Sequence, residues 1–284
     1  MGEQASGGLL TRRSSLLAEL AILLAVLVVL GLLAFAAQKL FLAPRVVTND
    51  VSKSLDNALG PVVLRQVEMS HTVLSNPDVD AAFAAIMDRL RPALGQLAPG
   101  SPKIRIVVID SRTVNAFTLP GGIICVDTGL MRNLGSADQM AGVLGHELSH
   151  VAHRDPLSLL ARQVGAAALA GMLTGGRGGD LARALAQTLV NVRYGREAED
   201  RADDFSVRLL AKADISPLAF AQALERIRKA EPRDASLLQW IDSHSPIDER
   251  IARARQEAAG FSVESRRINV SWPALIRKLP KPEE

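Results

Sequence analysis

His146 and His150 stand four residues apart, with Glu147 directly after the first. Two imidazoles at that spacing meet only if the segment is an α-helix, where one turn brings them to the same face. They can then grip one metal ion, and the glutamate between them can reach a water at the metal's open position. With five histidines in the chain, chance matches to H-E-x-x-H number on the order of 0.005. The spacing therefore predicts metal-assisted hydrolysis, with His146 and His150 as ligands and Glu147 as general base. The competing reading is a solvated helix that carries these three side chains by accident.

The flanks suit a helix. Ser136 is a fitting N-cap, and Met140, Val143, Leu144, Leu148 and Val151 recur at helical spacing. Pro156 is expected to end the helix, because a proline disfavours helical geometry at the residue before it. A hydrolytic zinc centre needs a third protein ligand. Downstream, Glu199 and Asp203 lie four apart beside the apolar series Ala202, Phe205 and Leu209. On one helix face, Glu199 can ligate zinc while Asp203 accepts a hydrogen bond from a ligand histidine. Read alone, such an acidic segment is more often a solvated face.

Four blocks carry a resemblance. They are Asn115-Ala116-Phe117-Thr118-Leu119-Pro120-Gly121-Gly122-Ile123, the H-E-x-x-H helix, Arg196-Glu197-x-Glu199-x-x-Ala202-Asp203, and His244-Ser245-Pro246 followed by Glu249-Arg250-Ile251. In this order they resemble the zinc metallopeptidase family that contains HtpX, BepA, Oma-type and CAAX prenyl proteases. The fourth block departs from the family pattern, since a serine separates the histidine from the proline.

The resemblance implies an α+β fold: a mostly helical zincin-type domain with a small β-sheet, behind one N-terminal transmembrane helix. It implies one zinc ion per chain held by His146, His150 and Glu199. By analogy with related zinc peptidases, Asp203 is expected to serve His146. His244 is implied to lie near the metal, where it acts in catalysis by donating to the oxyanion or ligates zinc in a resting state; a structural histidine capping a loop is the third reading. Arg250 is expected to orient this region or pair with a carboxylate. Asn115, Ala116 and Phe117 are implied to form the sheet edge that binds substrate as an added strand. The plain alternative is a hairpin that supports the core.

Leu20 to Ala37 is uncharged and rich in Leu, Ala and Val. Roughly eighteen residues give about 27 Å of helix, close to the hydrocarbon thickness of a bilayer. We therefore expect a cytoplasmic segment over 1–19, a signal anchor over 20–37, a helical linker over 38–75, the peptidase domain over 76–260 and a basic tail over 261–284. Arg12 and Arg13 precede the anchor, which predicts a cytoplasmic N-terminus and a periplasmic domain on a single-pass, bacterial-type inner-membrane protein. Val164 to Leu173, with the glycine-rich run after it, is expected to be a flap over the cleft or a helical hairpin. The net charge of +3 is spread out and no nucleic-acid motif is present, so nucleic acid is not an expected partner. Cys125, the single cysteine, is expected to pack in a strand. The expected substrates are misfolded or damaged envelope proteins. The competing function is a chaperone-like or adaptor protein whose zinc site is closed by His244. Processing of prenylated CAAX ends is disfavoured, because that enzyme type has several membrane spans.

Overall fold

The computed structural model describes residues 49–164, 178–190, 194–229 and 247–281. The expected anchor over 20–37, most of the 164–173 segment and His244 lie outside them. Among the described residues, no helix is long and apolar enough to cross a membrane.

The chain opens with α1 (Asn49–Ser70) and α2 (Pro77–Leu97). Asn76 caps α2, its Oδ1 accepting from the amides of Asp78 and Val79 at 3.0 and 3.3 Å, and Pro77 sits in the first turn, where its missing N–H costs nothing. Val79, Phe83, Ile86 and Leu90 form the buried stripe; each such side chain removed from water contributes about 1.5–3 kcal/mol.

Three strands follow: β1 (Arg105–Ile109), β2 (Ala116–Leu119) and β3 (Ile123–Asp127). Their order is β1-β3-β2, with β1 parallel and β2 antiparallel to β3. The turn between β2 and β3 is a short 3₁₀ element, Pro120–Gly122, with φ of 77° at Gly121 and 80° at Gly122. That left-handed backbone favours glycine. Alternation splits β3 between two cores. Ile124 and Val126 face α2 and the helices of the metal centre, while Ile123 and Cys125 pack with Phe117, Leu119 and α1. The outer edge of β1 is covered by a bridge from Val73 to Ile109, with Leu74 N donating to Val108 O and Asp110 N to Thr72 O. Among the described residues, no strand covers the outer edge of β2.

The remaining elements are α3 (Thr128–Asn133), α4 (Ala137–His153), α5 (Asp155–Val164), α6 (Gly178–Val190), α7 (Arg196–Lys212), α8 (Leu218–Lys229), α9 (Ile247–Ala259) and α10 (Trp272–Arg277). Ser136 caps α4 by accepting from Gln139 N. The end of α4 differs in its cause from the sequence expectation. Arg154 turns left-handed, with φ of 51°, and α5 starts at once at Asp155. Pro156 thus opens a helix instead of stopping one. Helix α4 is buried between α7, α8, α2 and β2. Small residues permit this: a Cβ on Gly142 would stand 2.8 Å from Phe220 Cα, and one on Gly145 would stand 2.8 Å from Ser206 Oγ.

The C-terminal segment is mostly exposed over 261–267 and docks on the domain through Ile268, Trp272, Leu275 and Leu279, which are buried. Trp272 is buried, and its indole N–H donates to the carbonyls of Met131 and Leu134 at 3.2 and 3.1 Å. A buried indole needs such a partner for its N–H.

Candidate metal centre

His146 and His150 project from the buried middle of α4, and both side chains are fully buried. Glu199 comes from the first turn of α7, where a carboxylate also suits the helix dipole. The apolar residues Ala202, Phe205 and Leu209 seat α7 and carry Glu199 to α4. The two Nε2 atoms are 3.2 Å apart, and Glu199 oxygens stand 3.6 Å from His146 Nε2 and 3.7 Å from His150 Nε2.

The far side of each ring is tied to a carboxylate. His146 Nδ1 meets Asp203 Oδ1 at 2.9 Å, and His150 Nδ1 meets Asp155 Oδ2 at 2.8 Å. A ring that donates from Nδ1 presents a lone pair at Nε2. Two lone pairs and a carboxylate turned to one point repel one another unless a cation joins them. In a tetrahedral zinc site with bonds of about 2.0–2.1 Å, neighbouring ligand atoms stand roughly 3.3–3.4 Å apart. The histidine spacing is close to this, and the two Glu199 oxygens, each nearest a different imidazole, stand a few tenths of an ångström wider, so the donor set of two imidazoles and a carboxylate suits zinc.

The carboxylates are themselves clamped. Arg250 Nε and Nη2 donate to Asp203 Oδ2 and Oδ1 at 2.9 and 2.6 Å, and Arg253 Nη2 reaches Oδ2 at 3.1 Å. Arg201 Nη2 contacts both oxygens of Asp155 at 2.9 Å. Burial works against the charge on Asp203, but the Arg250 guanidinium and the hydrogen bonds from His146 and Arg250 hold its carboxyl well below the usual range. Asp155 is lowered for a similar reason: burial opposes its charge and His150 and Arg201 outweigh it. His146 is pushed down to about 3, chiefly by burial, which keeps its ring neutral. Burial also pulls His150 down, but Asp155 and the nearby carboxylates of Glu147 and Glu199 raise it overall.

Glu147 is buried beside the two histidines, and Thr118 Oγ1 donates to its Oε2 at 2.7 Å. Tyr194 stacks on His150 with ring centroids 4.1 Å apart, and Phe220 stacks on His146 at 5.9 Å. His153 turns away and meets the Ser149 carbonyl at 2.8 Å. On the sheet, Ala116 faces α4 while the Phe117 ring is packed in the core against α1. Asn115 Nδ2 reaches the Val190 carbonyl at 3.5 Å.

The structure thus brings His146, Glu147, His150, Glu199, Asp203 and Arg250 together. Sequence reasoning missed Asp155, Arg201 and Thr118. Asp155 lies five residues after His150, a spacing that becomes contact only because Arg154 turns the chain sharply. If Asp155 orients His150, Asp155→Asn is expected to weaken zinc affinity about 10–100-fold. Competition with a chromogenic chelator measures this, and an unchanged affinity would remove Asp155 from the centre.

Imidazoles and a carboxylate converging on one point, with a second carboxylate beside them, define a metal-dependent hydrolase. The model of peptidase family M48 matches residues 78–258. The metalloprotease LoiP of Escherichia coli (strain K12) is 30% identical over 190 residues, covering 65% of this chain and 74% of LoiP. The metalloprotease YcaL of the same strain is 33% identical over 177 residues, covering 60% of this chain and 68% of YcaL. A protease HtpX homolog of Thermodesulfovibrio yellowstonii (strain ATCC 51303 / DSM 11347 / YP87) is 29% identical over 205 residues, covering 56% of this chain and 71% of the relative. The chain belongs to peptidase family M48, the HtpX and Oma-type zinc metalloproteases. It is a zinc metalloprotease.

Proposed function

We propose that this chain is a membrane-anchored endopeptidase that hydrolyses peptide bonds of misfolded or damaged envelope proteins. The observation that carries the hydrolytic part is the convergence of His146 Nε2, His150 Nε2 and the Glu199 carboxylate, mutually within 4.8 Å, beside Glu147. These three residues would hold one zinc ion, with Asp203 orienting His146 and Asp155 orienting His150. When bound, zinc supplies Lewis-acid polarisation and lowers the pKa of water at its open position.

Every other step belongs to side chains. Glu147 takes the proton of the attacking water and passes it to the leaving amine. Asp203 and Asp155 fix the two rings, whose Nε2 atoms would be taken up by the metal and so would not compete for that proton. Substrate pairs as an extra strand with the outer edge of β2, next to Asn115, Ala116 and Phe117. Recognition through the peptide backbone favours unfolded chains, because folded ones have no strand to spare. The apolar run over 20–37 supports anchoring in a bacterial-type inner membrane, and Arg12 and Arg13 before it support a periplasmic domain.

Metal removal tests the hydrolytic part. Dialysis against a chelator is expected to abolish cleavage of fluorescein-labelled casein, and one equivalent of zinc to restore it. Cleavage that persists in demonstrably zinc-free protein would sink the proposal.

A further inference from the structure

Thr118 is fully buried on β2. A valine would fill its place with the same shape, but the hydroxyl is used. Oγ1 is 2.7 Å from Glu147 Oε2 and 3.3 Å from the Glu147 carbonyl oxygen. It has one proton to give, and the shorter contact is to a carboxylate, the stronger acceptor.

The backbone of the same residue has a different outlook. Asp127 N donates to Asn115 O at 3.0 Å, so Asn115 and Asp127 form a hydrogen-bonded pair. In an antiparallel ladder such pairs alternate. The register then places Phe117–Cys125 and Leu119–Ile123 in the bonded class. The N–H and C=O of Ala116 and Thr118 therefore turn away from β3, toward the outer edge of β2. Thr118 thus faces, with its backbone, the edge of β2 that no described strand pairs with, and with its side chain it faces Glu147.

We propose that Thr118 is a positioning residue for the general base, fixing the Glu147 carboxylate from within the strand that receives substrate. The inference rests on the reading of Glu147 as base. A carboxylate turns easily about its terminal torsion. A donor on Oε2 stops that rotation and sets the direction of Oε1, the oxygen that takes the water's proton. The threonine proton stays on Oγ1 throughout. Because the backbone groups of Thr118 lie at the docking edge, substrate and base are held in register by one residue.

The test compares Thr118→Val with Thr118→Ser in the full-length, zinc-loaded chain, using fluorescein-labelled casein. Thr118→Val is expected to lower kcat about tenfold, the scale of a hydrogen bond to a charged group. KM and zinc affinity should stay within about twofold of wild type. Thr118→Ser, which keeps the hydroxyl, is expected to return kcat to within about threefold of wild type. An unchanged kcat in Thr118→Val overturns the proposal. So does an equal loss in Thr118→Ser, which would make the role one of packing, and so does a loss confined to KM or zinc affinity. If circular dichroism shows Thr118→Val unfolded, Thr118→Ala against Thr118→Ser gives the same comparison. Casein cleavage by Glu147→Gln at the wild-type rate would overturn the general-base reading itself, and this proposal with it; cleavage that depends on Glu147 but not on the Thr118 hydroxyl overturns this proposal alone.

Discussion

Glu147→Gln is expected to lower casein cleavage by about 10³-fold or more, at the upper part of the range for losing a general base. The substitution keeps size and polarity but removes the proton acceptor. Thr118 can still donate to the glutamine carbonyl oxygen, so the buried surroundings of Glu147 (1% exposed) need not rearrange. Zinc content should stay at the wild-type level, because the converging ligand atoms come from His146, His150 and Glu199. Metal analysis and kinetics on the same preparation check both halves. A Glu147→Gln protein that holds zinc and cleaves as wild type would falsify the assignment.

Arg250→Ala is expected to destabilise the zinc-free protein by about 3–5 kcal/mol, the usual cost of removing one partner from a buried ion pair. Arg250 is 1% exposed. It contacts both oxygens of Asp203 and lies 3.9 Å from Glu199 Oε2. Without it, two buried carboxylates lose their principal counter-charge. The pH dependence follows from Asp203. Its folded-state pKa is depressed, so its contribution to stability is present above the unfolded value and lost as pH falls through the folded one. In Arg250→Ala that depression largely disappears. The deficit against wild type should be full near neutrality and shrink as pH drops below the ordinary carboxylate range near 4. Urea unfolding at pH 7 and at about pH 3 reads this, and a deficit under about 1 kcal/mol at pH 7 would show that the pair is not structurally important.

Much of the centre was legible in the sequence because helical periodicity is a strong ruler. His146 to His150 and Glu199 to Asp203 are both four-residue steps, and the apolar residues beside them fixed which faces turn inward. Asn76 followed by Pro77 carries the local chemistry of a helix start, and Asn115 to Val126 that of a strand, a turn and a second strand. What escaped depended on corners and register. Asp155 became a partner of His150 through one left-handed residue, Arg154, that no spacing rule foresees. The hydrogen bond from Thr118 depends on which face of β2 meets α4, and a four-residue strand, all buried, offers no polar–apolar alternation to reveal it. Nothing in the sequence of the basic tail singles out Trp272 for burial. Its burial follows from the pair of carbonyls at the end of α3 and just beyond it, which only the folded chain supplies.

Helix α7 carries Glu199, Arg201 and Asp203 within five residues. The first faces the zinc position, the second clamps the carboxylate behind His150, and the third sits behind His146. Both imidazoles are therefore aimed by a single helix to which neither belongs. A slide of α7 along α4 would disturb the third ligand and both ring orientations together. The centre is split between two helices, so all its ligands and both ring supports are in place only while α4 and α7 stay packed together. Metal affinity would then depend on the docking of two helices as much as on the chemistry of three side chains.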